Sequence, residues 1–346
     1  MSGFFTAVVA WQRQHGRHGL PWQGTTDPYR VWLSEIMLQQ TQVATVLAYY
    51  ARFLARFPDV QSLAAADTDE VLALWGGLGY YSRARHLHRC AREVVSRWNG
   101  RFPSTASDLQ TLPGIGPSTA AAIAAFCFGE PVSIMDGNVQ RVLTRWLAFD
   151  RDLAQATHAR ELRQCAQGLV PPTADHEDMV AYTQGLMDLG ATVCRRSKPE
   201  CPACPVAQTC QALAQGQAVR FPVKTRKLNR RTESWWLQVW RRTDGAYWLQ
   251  PRPSTGIWAG LHAFPVVMSA EEAEARPPLV DDGADAVWHD PLRHSLTHRE
   301  LVLHPVEWPV GRSPVAATGC WVSRRSDLTM GLPTPIRQWL EARLPD

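Results

Sequence analysis

Apolar residues recur at three- and four-residue spacing through most of the first 215 positions. That period gathers them on one face of a helix. The runs fall at 28–56, 69–75, 82–98, 117–128, 138–147, 158–169 and 176–193. Turn signals separate them, among them GGLG at 76–79 and the pair Pro171–Pro172. No repeat of fixed period emerges. Beyond residue 233 the period shortens: SWWLQVWRRTDGAYWLQ reads as two strands around an Asp244–Gly245 hairpin turn. GLHAFPVV and ELVLHPVEW supply further short strands, and Pro335 to Arg343 a terminal helix. The pattern therefore predicts a mostly α N-terminal region, 1–215, and a smaller α+β domain, 234–346. Between them, 216–233 carries Arg220, Lys224, Arg226, Lys227, Arg230 and Arg231 with no acid before Glu233. It reads as a basic linker, either solvated or touching phosphate.

Composition adds bounds rather than a function. A 346-residue chain with 45% hydrophobic and 20% charged residues can bury two cores, which excludes general disorder. A net charge of +4 admits an anionic partner without requiring one. The start, MSGFFTAVVAWQRQHGRHG, has no cationic lead and too short an apolar run for a signal peptide. Residues 109–129 lack charge, but Pro113, Gly114, Gly116 and Pro117 interrupt them, so a buried helix after a tight turn is expected rather than a membrane span. The expectation is a monomeric cytoplasmic protein with no membrane partner.

Candidate chemistry lies in four places. Cys194, Cys201, Cys204 and Cys210 are spaced C-x6-C-x2-C-x5-C, while the other four cysteines are scattered. Such density argues for metal, zinc and iron–sulfur being equally open on spacing alone. Between the first two lie Arg195, Arg196 and Lys198, cations that a stiffened loop can hold against phosphate or leave to solvent. In LQTLPGIGPSTAAAIAAF, a helix ending at Leu112 precedes a turn whose two glycines are free to take positive φ. Pro117 then suits the first turn of a helix whose free amides face outward, a helix-hairpin-helix pattern over 104–128 that suits phosphate, although a generic helical hairpin has the same shape. Glu35 is the only charge between Arg30 and Arg52, so desolvation should raise its pKa. Asp136, after an apolar run and at the mouth of a helix, or Asn138, is placed to be an N-cap; amides bonded to Asp136 should lower its pKa. Two carboxylates pushed apart in this way suit glycosidic bond cleavage.

The four-cysteine spacing, the hairpin and the Asp beyond it resemble the endonuclease III superfamily of DNA glycosylases. LPWQ, DPYRVWLSEIMLQQTQVATV, WGGLGYYSRARHLH, LPGIGPSTAAAI, DGNVQRVLTR, MDLGATVC and SKPECPACP bring the chain closer to the MutY adenine glycosylases, and PSTGIWAGLHAFP and RHSLTH extend the likeness past residue 250. The resemblance implies a monofunctional hydrolase of base excision repair that binds double-stranded DNA and removes adenine mispaired with 8-oxoguanine or guanine. It makes Glu35 the acid that protonates the base, Asp136 the partner of the oxocarbenium ion and Asn138 a shaper of the catalytic site. It assigns DNA or substrate contacts to Gln40, Leu78, Tyr80, Gly114, Gly116, Ser118, Gln184, Arg195, Thr297 and His298. It implies a [4Fe–4S] cluster on the four cysteines, a six-helix subdomain over about 26–135, a cluster subdomain from 1–25 and 136–215, and a Nudix-like C-terminal domain that senses the lesion. In bacteria the enzyme would be nucleoid-associated.

Three departures sharpen the expectation. Where endonuclease III carries a Schiff-base lysine, this chain has Ser118, and no lysine occurs from residue 1 to 197, so strand cleavage by such an amine is not expected. No glutamate cluster of the pyrophosphohydrolase kind follows GLHAFP, because SAEEAEARPP lacks the pattern. The lesion-sensing loop, Phe-Ser-His in many relatives, reads Leu296-Thr297-His298 here. It keeps the hydroxyl and the imidazole and loses the ring. A non-catalytic DNA-binding scaffold is the rival reading, and retention of both Glu35 and Asp136 speaks against it.

Overall fold

The computed structural model describes residues 2–225, 230–275, 285–311 and 318–346; Arg226 and Lys227 of the basic stretch and the end of SAEEAEARPP lie outside the described residues. In chain order the helices are α1 (Ser2–His15), α2 (Pro28–Leu38), α3 (Val43–Arg56), α4 (Val60–Ala65), α5 (Thr68–Leu74), α6 (Tyr81–Trp98), α7 (Ala106–Leu109), α8 (Pro117–Phe128), α9 (Gly137–Trp146), α10 (Ala156–Gln167), α11 (His176–Asp188) and α12 (Gln211–Ala214). A π-helical turn, Leu189–Val193, prolongs α11. The chain divides into two compact units, 1–64 with 89–227, and 65–88 with 228–346. The sequence pattern keeps 65–88 in the helical region, as apolar runs on either side of GGLG, whereas packing groups these residues with 228–346.

The first unit is built around α8. Its Ala120, Ala122, Ile123, Ala124 and Ala125 are fully buried, and their small side chains let α2 and α11 pack close on either side. The amphipathic α1, absent from the predicted elements, closes this core with Phe4, Phe5, Val8 and Val9 against α11. Each such side chain contributes roughly 1.5–3 kcal/mol by leaving water.

Three local expectations change. The run 28–56 is two helices, because the polar stretch Gln39–Gln42 offers no apolar anchor and Gln40 takes φ 58°. The first hairpin helix stops at Leu109 rather than Leu112. Only Gly114 takes a positive φ (78°); Gly116, at φ −85°, is the N-cap of α8. The basic stretch is also docked as far as Thr225, where Leu153 N–H donates to Val223 O at 3.1 Å and Thr225 N–H to Asp152 Oδ1 at 3.2 Å.

The second unit holds a mixed sheet of β1 (Arg231–Arg242), β2 (Tyr247–Pro251), β3 (His262–Ala263), β4 (Val266–Val267), β5 (Val287–Trp288), β6 (Leu292–Ser295), β7 (Arg299–Val310) and β8 (Cys320–Val322), with helices α13 (Ala270–Glu274) and α14 (Thr334–Glu341). Its central path runs β3-β2-β1-β7-β5, with β4 on β1, β6 on β7 and β8 on β2. The pair β1 and β7 is parallel from Arg231 opposite Arg299 to Arg242 opposite Val310. Gly245, at φ 88°, makes the expected hairpin turn. Trp339 of α14 packs edge-on to Tyr247 and Phe264. Residues 65–88 belong to this unit through named contacts. Tyr81 Oη donates to Leu332 O at 2.8 Å, and the Arg85 guanidinium donates to Ala259 O.

Candidate active site and cysteine loop

Helix α2 starts on Asp27, whose carboxylate accepts the Tyr29 N–H at 2.9 Å, with Pro28 in the first turn. Val31, Trp32, Leu33, Ile36 and Met37 are buried around it. Glu35 is left facing a cavity of 740 Å³ that also reaches Leu38, Gln184 and Met187. Burial, and then the negative charge of Asp136, push the Glu35 carboxyl up to about 8. The expected direction holds, and at neutral pH the group keeps its proton.

Asp136 is the N-cap of α9 and accepts the Val139 N–H at 2.7 Å. The expected lowering of its pKa does not survive. Burial raises it, outweighing the helix amides of Val139 and Asn138 and the Arg141 guanidinium. At Asp136 those three groups oppose burial, while at Glu35 nothing does, so the two carboxyls are still driven unequally.

Asn138 is tied in from behind. Its Oδ1 accepts Arg141 Nη2 at 2.9 Å; the same nitrogen donates to Gly190 O at 2.6 Å, and Arg141 Nε donates to Cys194 O at 2.8 Å. Gly190 has no room for a side chain, since a Cβ there would lie 2.6 Å from Asn138 Cβ. Ser118 Oγ accepts the Met135 N–H at 3.3 Å, bracing the residue before Asp136. Gln184 Nε2 donates to Asp188 Oδ1 at 2.8 Å; Asp188 is fully buried and also accepts Arg17 N and Nε, both at 2.8 Å. Sequence reasoning misses Arg17, Arg141 and Asp188. Asp188 carries the same signal that singles out Glu35, being the only acid between Asp178 and Glu200.

The four cysteines line one second cavity, with Arg145 and Glu200 at its wall. Burial pushes the Cys204 thiol up to about 11, and the neighbouring cysteines add to the rise. Arg145, 2% exposed, threads the loop: it donates to Arg195 O at 2.7 Å, Arg196 O at 2.8 Å and Cys194 Sγ at 3.4 Å. Glu200, the one carboxylate on the wall, is paired with Arg195. Among the described residues no group of three or more His, Cys, Asp or Glu is arranged to hold a metal ion as it stands. Four sulfurs around one space are nevertheless the donor set of a thiolate-held metal centre.

The remaining predicted residues fall into separate places. Gln40 is exposed at the α2–α3 break, beside Gln39, whose Nε2 donates to Thr119 Oγ1 at 3.3 Å. Gly114 and Gly116 form the turn before α8. Arg195 is half-exposed on the cysteine loop. In the second unit, Leu78 is buried at 6%, whereas Tyr80 is exposed at 42% and its hydroxyl lies 2.6 Å from Thr297 Oγ1. Thr297 and His298 occupy the tight turn from β6 to β7, closed by Leu296 N–H donating to Arg299 O at 2.8 Å, and His298 is exposed.

Comparison with known proteins gives the wider setting. Residues 33–172 match the HhH-GPD superfamily of base excision DNA repair proteins, and residues 236–342 the NUDIX domain. An adenine DNA glycosylase of Buchnera aphidicola subsp. Baizongia pistaciae is 31% identical over 339 residues, covering 96% of this chain and 94% of that protein. The adenine DNA glycosylase of Homo sapiens is 42% identical over 221 residues, 61% of this chain and 40% of the human protein. Among solved structures, a thermostable thymine-DNA glycosylase superposes with a TM-score of 0.54 at 26% identity, covering 61% of this chain and 95% of that one.

Proposed function

The chain belongs to the adenine DNA glycosylase family of base excision repair, and from that premise we propose that it removes adenine standing opposite 8-oxoguanine or guanine in duplex DNA, with Glu35 as acid and Asp136 as charge partner. The observation that carries the residue assignment is the Glu35 carboxyl lining the cavity, its pKa raised by burial and by the negative charge of Asp136. The adenine nucleotide turns out of the duplex into this cavity. Glu35 gives its proton to a ring nitrogen of the base. The C1′–N9 bond then breaks with its electron pair on the base, and Asp136 faces the oxocarbenium ion left on the sugar. Water adds to C1′ and gives its proton to a carboxylate, leaving free adenine and an abasic site. Ser118 stands at the position where endonuclease III carries its Schiff-base lysine, so an intact strand is expected.

Gln40 would enter the base stack, the turn at Gly114 and Gly116 would hold backbone phosphate with the amides of α8, and Arg195 would meet phosphate beside it. In the second unit, Tyr80, Thr297 and His298 would face the oxidised guanine, the Tyr80–Thr297 hydrogen bond presetting the hydroxyl. Cys194, Cys201, Cys204 and Cys210 would hold a [4Fe–4S] cluster, which stiffens their loop by cross-linking it. The action would take place in the cytoplasm, at the nucleoid if the source is bacterial.

The test is strand scission by alkali after incubation with an adenine:8-oxoguanine duplex, beside adenine:guanine and adenine:thymine controls. Abasic sites in the first two and none in the third are expected; firm binding with no abasic site would favour the scaffold. Thr297→Val, which breaks the bond to Tyr80 without changing size, is expected to lower the 8-oxoguanine to guanine rate ratio by about fivefold to tenfold, the worth of one hydrogen bond. Visible absorbance of the purified protein checks the cluster. Gly190→Ala is expected to cost about tenfold in single-turnover excision, because the added methyl must displace Asn138. An unchanged rate would show that the fit of Asn138 on Gly190 is immaterial.

A further inference from the structure

The cavity over Glu35 is larger than a base requires. At 740 Å³ it exceeds a ten-atom purine several-fold, which displaces roughly 150 Å³, or about five waters at ~30 Å³ each. Its wall follows α11 from Met187 through Gln184, Ala181 and Val180 to Glu177 and His176. At 1.5 Å per residue those ends stand about 16 Å apart. Gln184 lies toward the Met187 end, and Glu35 lines the same cavity from α2. The other end is of another kind: His176, Glu177 and Thr26 on its rim are exposed, as is Arg13, whose side chain is 52% accessible. Between these ends the wall on α11 is apolar, with Val180 and Ala181, and Val31 and Phe126 also line the cavity.

We infer that the His176–Glu177 end is the way out for the free base: adenine leaves by it while the abasic duplex still covers the end through which the nucleotide entered. The inference rests on the glycosylase reading above. The chemistry suits such a route. The proton from Glu35 leaves adenine neutral, and a neutral planar ring crosses an apolar passage without the cost of stripping a charge. The nucleotide itself cannot follow, being tethered to DNA. Departure by a separate door also removes the base from the oxocarbenium ion it could recapture, and water entering by the same door can relay to Glu35 the proton that the attacking water gives up. Where product release limits turnover, such a door separates the loss of one product from the loss of the other.

The experiment immobilises a duplex with radiolabelled adenine opposite 8-oxoguanine on beads and adds full-length enzyme in excess. Three quantities are followed in each sample: abasic sites by alkali, adenine in the supernatant, and protein on the beads. For the wild type, adenine is expected in the supernatant as fast as abasic sites form, with protein still bound. In Val180→Trp, which fills the passage, abasic sites are expected to outrun free adenine by about tenfold or more, the base staying with the beads until protein leaves. Thr26→Trp, on the exposed rim, makes the same test if Val180→Trp does not fold. Wild-type adenine that appears only as protein dissociates, or a filled passage that leaves release as fast as chemistry, overturns the exit route. A wild type that forms no abasic site overturns the glycosylase reading itself, and the exit with it.

Discussion

Replacing Glu35 with Gln is expected to slow adenine excision by about 10²–10⁴-fold, the usual worth of a positioned general acid, while binding to the mispaired duplex changes little. The amide keeps the size and polarity of the carboxyl but has no acidic proton to give. A group held to about 8 by burial and by Asp136 fixes the pH profile as well. The reactive form is the protonated one, so the wild-type single-turnover rate should fall as pH rises through about 8, and the residual rate of Glu35→Gln should show no such fall. Stability should move the other way. Between the carboxyl's ordinary pKa and 8 the folded protein binds a proton that the unfolded chain has lost, so this group makes the fold less stable as pH rises through that window. Glu35→Gln removes the penalty, and its melting temperature should exceed that of the wild type by a margin that widens from pH 5 to pH 8. A variant that excises normally, or that melts below the wild type at pH 8, would remove Glu35 from its role.

The same residue shows how far spacing alone reports on chemistry. An acid alone in a long uncharged stretch has few ways to be solvated, so the perturbation of Glu35 is legible in the sequence. The helices are legible wherever the apolar period holds, as in α6, α8 and α10. They are less so where a short polar gap hides a backbone break. In 28–56 the gap is Gln39–Gln42, and φ 58° at Gln40 turns the chain there. Asp136 is half legible: its cap follows from position, but its pKa depends on how deeply the surrounding residues bury it, and that is a property of packing. The fixing of Arg141, which holds Asn138, is illegible for the same reason. The bonds from Arg141 to Gly190 and Cys194 join residues 49 and 53 positions apart, which no local pattern reports.

Asp136→Asn is expected to cost about 10²–10³-fold in excision, a magnitude typical of removing one preorganised charge or donor at a developing ion. The substitution is chosen because two roles coincide at this position. As the N-cap of α9, Asp136 accepts the Val139 N–H, and an asparagine carbonyl does so equally well, so the melting temperature should hardly change. As an anion beside the oxocarbenium ion, it has no neutral substitute. Asp136→Ala loses both functions and should add a stability loss of about 1 kcal/mol, the usual worth of a cap. If capping were the whole contribution, the Asn variant would excise at the wild-type rate and only the Ala variant would suffer. The charge of Asp136 also helps hold the proton on Glu35. Removing it lets Glu35 ionise sooner, so the alkaline fall in the residual rate of Asp136→Asn should shift to lower pH than in the wild type. A pH profile that keeps its wild-type midpoint would mean that the two carboxyls do not sense each other, and the pairing on which the chemistry rests would fail even if each variant were slow.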